Sequence, residues 1–379
     1  MSWKDKRRYL ISELPTLLDV LDRIALDEEW FLLNQGRYTG LFPTHYQEGI
    51  FETMTMPDGT TQLWPLGLRP FIFYRGESTY HPQGKPSIFR KYMTPEMVFH
   101  ERIKDCELEL LMKTHPMVDI FRNGTMATLH DGKSYLLNLS VDYHALAQHY
   151  GIATELMDLT VDKWVAAFFA STKCENGVYK PVNDNDSYGV IYVMKQPLQD
   201  MLPSVSPEKA KIRAVGLQPF TRPGEQAGYV YRMNENQNFN KICARKIKFR
   251  HDARVSELVF SYANRSKKLF PYDLLQDKAT VIKNSYRSSK DAYNLVIARY
   301  FPFTPNDTIE EWMKVARISL QDNLVTTFSE VERKQFFEDW KKKEKPFYSR
   351  IYIREVYTGP IHEVSGNDLT GYSKTESIK

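Results

Sequence analysis

The sequence predicts an α+β protein, a mixed β core flanked by helices, with helical segments at both ends. Apolar residues recur at helical spacing near the N-terminus and again over residues 251–379. The middle instead holds short apolar runs bounded by Gly, Pro, Asn and Asp, which read as strands and turns. No internal repeat or long low-complexity linker interrupts the chain. The resulting division is a helical and turn-rich segment at 1–64, an α+β domain at 65–250 and a mainly helical region at 251–379.

The elements follow in order. Leu10, Ile11, Leu17, Leu18, Leu21 and Ile24 place a helix over 6–31, with a break at Pro15. Residues 33–70 suit short strands and turns. Phe71 to Arg75 is a strand ending in Arg75-Gly76-Glu77, and Pro82, Gly84 and Pro86 mark a loop. Thr94 is a helix cap with Pro95 at the first helical position, and this helix runs to about Thr114. From Ser140 to Thr172 two helical stripes flank a short polar connection. The first is Tyr143, Leu146, Ala147 and Tyr150, with Ser140 as cap, Asp142 in the first turn and Gly151 as stop. The second is Val161, Trp164, Val165, Phe168 and Phe169, with Thr160 as cap and Asp162 behind it. Tyr188 to Val193 is a core strand, 215–231 is turn-rich and then β, and 242–249 alternates with two mixed faces. Residues 276–300 are helical with a break near Ser288, and Glu310–Leu320 and Val331–Lys343 are amphipathic helices.

Composition narrows the function classes. The 379 residues are 42% hydrophobic, enough for a packed core, and the 23 Tyr and 21 Phe make it aromatic. A net charge of +4 is too small to imply nucleic acid by itself. Three widely spaced cysteines suit free thiols in a reducing compartment, not a disulfide framework. The first 15 residues lack the apolar run of a signal peptide, and no apolar stretch of about 18 residues spans a membrane. The expectation is a soluble, cytoplasmic protein without membrane partners.

The polar connection carries Gln148, His149, Thr154, Glu155, Asp158 and Thr160, more chemistry-capable side chains than a turn needs. Arg75, ending a buried strand beside Gly76, can present its fork to a phosphate or carboxylate next to a close-approaching backbone. The competing structural reading is an Arg75–carboxylate pair, for instance with Asp158. His149 can hold a ligand or shuttle a proton, or simply cap a helix end. Thr160 serves equally as an N-cap and Asp158 as a helix-dipole anion. His144 and His149 lie about 140° apart around a helix, so they do not pair on one metal ion, and no metal is expected. Gly84-Lys85-Pro86-Ser87 fails as a phosphate loop because its glycine spacing is wrong and Pro86 lacks an N–H. The Lys341-Lys342-Lys343-Glu344-Lys345 run at a helix end reads as a solvated face, with nucleic-acid contact as the alternative.

Gln148-His149-Tyr150-Gly151, Thr154, Leu156 to Thr160 and Ala166 to Ala170 together resemble the central signature of the FRG domain. Phe73-Tyr74-Arg75-Gly76-Glu77 resembles its Phe-Arg-Gly motif, and Arg222, Gln226, Gly228 and Tyr229 resemble a third element. The resemblance spans roughly 65–250. It departs at Ala153, Glu155 and Leu159, where the family usually has Pro, Arg and Trp, so no role needing positive charge carries over to Glu155. The strand-Tyr-Arg-Gly opening is more distantly similar to mono-ADP-ribosyltransferases, which implies an ADP-ribosyltransferase-like fold. It further implies that Arg75 binds the diphosphate of NAD, that His149 and Thr154 line the nicotinamide end, and that Glu225 or Gln226 polarises the ribose. Gly76, Gln148, Asp158 and Arg222 complete the implied ligand-binding set.

The function these resemblances imply is that of a bacterial-type protein binding a nucleotide-type phosphorylated ligand. With NAD as cofactor it would be an ADP-ribosyltransferase or NAD glycohydrolase acting on a protein or nucleic-acid acceptor. The rival reading is a non-catalytic binding or regulatory module. Convergence of Arg75, His149, Asp158 and Gln226 on one pocket is the structural condition for the enzyme reading.

Overall fold

The computed structural model describes residues 13–39, 46–56, 58–66, 72–128, 132–175, 177–195 and 211–353. The helical expectation at 6–12, with Leu10 and Ile11, lies outside them, as do Phe71 and residues 354–379. Helix α1 covers Leu17–Thr39, longer than the sequence pattern indicates, so 33–39 is helical and not turn-rich. Strands β1 (Phe51–Thr55) and β2 (Thr61–Pro65) pair antiparallel, and β3 (Ile72–Glu77) carries the Arg-Gly-Glu step. Helix α2 (Pro95–Lys113) begins with Thr94 as cap and Pro95 in its first turn. It is followed by α3 (Pro116–Arg122) and the antiparallel pair β4 (Thr125–Thr128) and β5 (Ser134–Leu137).

Next come α4 (Tyr143–His149), β6 (Leu156–Thr160), α5 (Lys163–Ser171), the pair β7 (Thr172–Glu175) and β8 (Val178–Pro181), and β9 (Tyr188–Lys195). Then follow β10 (Ile212–Ala214), α6 (Arg222–Glu225), β11 (Gly228–Arg232), α7 (Phe239–Ile242) and β12 (Arg245–Arg250). The remainder holds α8 (Ala253–Tyr262), α9 (Leu274–Lys283), β13 (Arg287–Ser289), α10 (Lys290–Tyr300) and α11 (Asn306–Val315). It ends with β14 (Ser319–Gln321), α12 (Glu330–Tyr348) and β15 (Ile351–Tyr352). The class is α+β. None of the described helices is long and apolar enough to cross a membrane.

Six strands form the main sheet in the order β10-β11-β6-β3-β9-β12, each antiparallel to its neighbours. Parallel pairing occurs in small sheets, where β15 joins β1 and β14 joins β13. Strand periodicity sorts the core into two faces. Phe73, Met157, Leu159, Tyr192 and Tyr229 pack on one. Ile72, Tyr74, Ile191, Val193 and Phe249 pack on the other, under α1, α5 and α8.

Helix α5 lies very close to the sheet, and two glycines permit it. A Cβ on Gly76 would sit 1.8 Å from the Ala166 carbonyl oxygen, and one on Gly189 2.8 Å from that of Ala170. The close-approaching backbone beside Arg75 is therefore the protein's own helix.

The stretch from Ser140 to Thr172 differs from its sequence reading in three places. Residues 156–160 are a central strand between the helices, buried at four of five positions. The cap of α4 is Asp142, whose side chain accepts from the Ala145 N–H, and not Ser140. The cap of α5 is Asp162, which accepts from the Trp164 N–H, and not Thr160. Thr160 belongs to the strand and donates to the Gln226 carbonyl at 2.7 Å. Two shorter differences follow farther on: β12 starts at Arg245, after a helical turn at 239–242, and the 310–320 pattern divides between α11 and β14.

The C-terminal helices pack on α2 through two apolar clusters, one with Leu275 and Ile282, the other with Ala292, Val296 and Ile309. Buried polar bonds join the same surfaces. Glu107 accepts from the Ser289 N–H at 3.0 Å, the Ser289 hydroxyl at 2.7 Å and the Val325 N–H at 2.6 Å. Arg299 grips Glu109 with both terminal nitrogens, at 2.6 and 3.1 Å.

Candidate functional site

Neighbouring strands in an antiparallel sheet bring residues distant in sequence side by side, and here β3 and β6 do so at Tyr74 and Thr160. Arg75, one step along β3, donates from Nη1 to the Asp158 main-chain carbonyl at 2.9 Å and from Nε to Glu77 at 3.0 Å. Burial opposes its charge, but Glu77 and then Asp158 outweigh that and raise its pKa above the usual arginine value. The ion pair is thus with Glu77, two residues on, and Asp158 contributes its backbone.

Helix α4 delivers His149 at its last turn, while α6 and the positive-φ Ala227 deliver Gln226. Arg75, His149, Asp158 and Gln226 all line one cavity of about 110 Å³, walled on its apolar side by Val165 and Phe169 of α5. Asp158 Oδ1 is buried with no hydrogen-bond partner among the described residues, and the buried His149 ring has the Gln226 side chain as its neighbour. Burial pushes the His149 imidazole below the ordinary histidine range; Asp158 opposes this and Arg222 reinforces it. The ring is neutral at pH 7, with Gln226 beside it.

The other expected residues frame this cavity from behind. Gln148 donates to the Leu156 carbonyl at 2.9 Å and to Asp158 Oδ2 at 3.3 Å, and it accepts from the Thr154 hydroxyl. Thr154 is fully buried in that chain of bonds. Arg222 is also buried; it donates to the His149 carbonyl at 2.9 Å and to Gln276 at 2.6 Å, and it sits 4.8 Å over the Tyr150 ring. Gln226 donates to the Leu269 carbonyl at 3.0 Å. Glu225 points elsewhere, held by Arg350 at 2.7 Å. Gly76 lines the cavity only by its backbone, its open side being filled by α5.

A second polar cluster was missed in the sequence. Glu155, the charge-reversed position of the motif, accepts from Arg102 at 2.6 Å and lies 3.1 Å from His144 Nε2 and 3.5 Å from Arg232. Burial disfavours its charge, but His144 and Arg102 prevail and hold the carboxyl far below the usual range. His144 Nδ1 contacts Asp105 at 2.7 Å. Burial works against its proton too, yet Asp105 and Glu155 lift its pKa to about 9. The only signal in the sequence was the reversal itself, which calls for a cation elsewhere. His144 and His149 serve separate clusters, the first with Asp105 and Glu155, the second at the cavity.

The volume sets what can enter the cavity. Pockets for drug-sized ligands run to about 300–1,000 Å³, so this cavity takes a group the size of one sugar ring and not a whole dinucleotide. Its open polar atom, Asp158 Oδ1, asks for a partner that can donate. A hydroxyl does so, whereas a fully ionised phosphate only accepts.

The chain carries an FRG domain: the family model of that domain matches residues 71–177. The matched range includes Arg75, His149 and Asp158, while Gln226 reaches the same cavity from outside it. No curated protein and no solved structure matches the chain.

Proposed function

We propose that this FRG-domain protein binds a nucleotide-type ligand, taking its ribose hydroxyls into the cavity of Arg75, His149, Asp158 and Gln226. The observation that supports this is the unpartnered buried Asp158 Oδ1, beside the His149 ring with its Gln226 neighbour, on the walls of one sugar-sized cavity. A buried polar atom left unpaired costs about 1–3 kcal/mol, a cost that a ligand hydroxyl removes. Arg75 and Gln148 hold the Asp158 strand segment in place, and Arg222 holds the end of α4 that carries His149. NAD as a whole exceeds the cavity, so the part engaged is its ribose.

Calorimetric titration of ADP-ribose and NAD into the wild type and Asp158→Ala tests the reading. Loss of one hydrogen bond to a charged group weakens binding by roughly 10- to 100-fold. Analogues lacking the 2′- or 3′-hydroxyl are expected to bind as weakly to wild type as the intact ligand does to the variant. Equal affinity of wild type and variant for every ligand would refute it. Chromatography for free nicotinamide in the same NAD samples, with Arg75→Ala as control, separates a catalytic site from a binding one.

A further inference from the structure

Gln148 also lines a groove of about 1170 Å³, ten times the size of the cavity. Its walls are the start of α2, the 151–153 turn after α4, and residues 283–286 and 315–317. Two tyrosines on it, Tyr92 and Tyr286, are each 61% exposed, and Met97 and Val315 are exposed beside them. The Tyr286 ring is backed by His100, centroid to centroid 5.5 Å, and His100 is itself fixed by a 3.0 Å contact to the Ser285 carbonyl.

The charges on this groove are unequal in what they are free to do. Lys283 and Arg317 line it with no acidic partner among the described residues. Of its acids, Glu101 is taken up by Lys104 and by the Ala153 N–H, both at 2.8 Å, which leaves Glu96. Lys104 is balanced by the same pair. The unspent charge is therefore two cations against one carboxyl. Arg317 holds its place at φ +57, a left-handed position that glycine or asparagine takes with less strain.

Exposed aromatic faces beside free cations form a platform on which bases stack while phosphates are neutralised. We infer that this groove binds a nucleoside phosphate unit, with the base on Tyr92 and Tyr286 and the phosphate against Lys283 and Arg317. The unit is either a free mononucleotide or one link of a single strand. The inference stands apart from the cavity, since none of these four residues lines it.

Fluorescence anisotropy of a fluorescein-labelled eight-nucleotide oligo(A) RNA, at several salt concentrations, tests it, with unlabelled AMP as competitor. All four side chains are exposed, so their variants keep the fold, which an unchanged melting temperature verifies. Tyr92→Ala/Tyr286→Ala is expected to weaken binding by roughly 5- to 150-fold for each base unstacked. Lys283→Ala/Arg317→Gly flattens the log–log salt slope by about 0.7, the value for one phosphate on a single strand. Displacement by AMP identifies a site sufficient for one nucleotide, and resistance to AMP identifies a strand site; both support the inference. Absence of binding by either ligand, or wild-type binding in both double variants, overturns it. Asp158→Ala should bind the RNA as wild type does; loss there, with binding intact in the tyrosine variant, would move the ligand out of the groove.

Discussion

Gly76→Ala is the most direct test of how the site is built. The new methyl would lie 1.8 Å from the Ala166 carbonyl oxygen and 2.7 Å from the Ala170 nitrogen. Contacts of this kind do not form below 3.0 Å, so α5 must retreat from β3 by about 1.2 Å or more. Both obstructing groups are helix backbone, so no side chain can swing aside. Behind α5 lie α1 and α8, packed on it through Leu21, Ile24 and Val259 in the same core cluster, so the helix has no free space to enter. Overpacking of this sort costs about 1–3 kcal/mol, and the rigid geometry puts Gly76→Ala at or beyond the upper figure. At roughly 1.3 °C per kcal/mol for a chain of this length, the melting temperature should fall by about 4 °C or more. Thermal unfolding followed by circular dichroism, with wild type alongside, measures it. A variant melting within about 2 °C of wild type would refute the packing account. If such a variant also lost ligand binding, the glycine would be serving a ligand's approach instead.

Two further predictions concern the Glu155 cluster. Because the folded-state pKa of His144 is raised to about 9, its stabilising charge is fully present below the unfolded value of about 6.5 and is lost as pH rises through 9. The contribution is at most about 3 kcal/mol, so the stability gap between wild type and His144→Gln in urea melts should shrink by up to that amount between pH 6.5 and 9.5; a gap independent of pH would refute the pairing. Glu155→Arg restores the residue usual in the family but leaves buried Arg102 facing a like charge, and it should destabilise by about 3–5 kcal/mol. Adding Arg102→Glu should recover at least half of that in thermal melts, and a single variant as stable as wild type would show that the cluster is not electrostatically coupled.

Much of the architecture was legible because its signals are local. Helix α2 begins at Thr94-Pro95 and ends by Thr114 as its cap, proline and stop residues dictate. The Tyr188 strand was visible as an apolar run, and the break near Ser288 is a real one, filled by β13. Arg75, His149, Asp158 and Gln226, singled out in the sequence, line one cavity.

What failed was whatever depends on a distant partner. Leu156-Met157-Asp158-Leu159-Thr160 reads as a polar connection, yet pairing with β11 on one side and β3 on the other makes it a central strand. That pairing fixes where the chain enters α5, and so the cap moves from Thr160 to Asp162. Glu225 and Gln226 are adjacent and equally polar in sequence, but Arg350 draws one away while the turn at Ala227 leaves the other beside His149. The sequence by itself determined many of the element types, the α+β class and the motif residues, because propensity, capping and periodicity act within a few residues of chain. Only the tertiary structure decided which polar atoms find partners, which remain open in a cavity, and that Gly76 makes room for a helix. Those outcomes depend on contacts between residues tens to hundreds of positions apart, which local pattern does not encode.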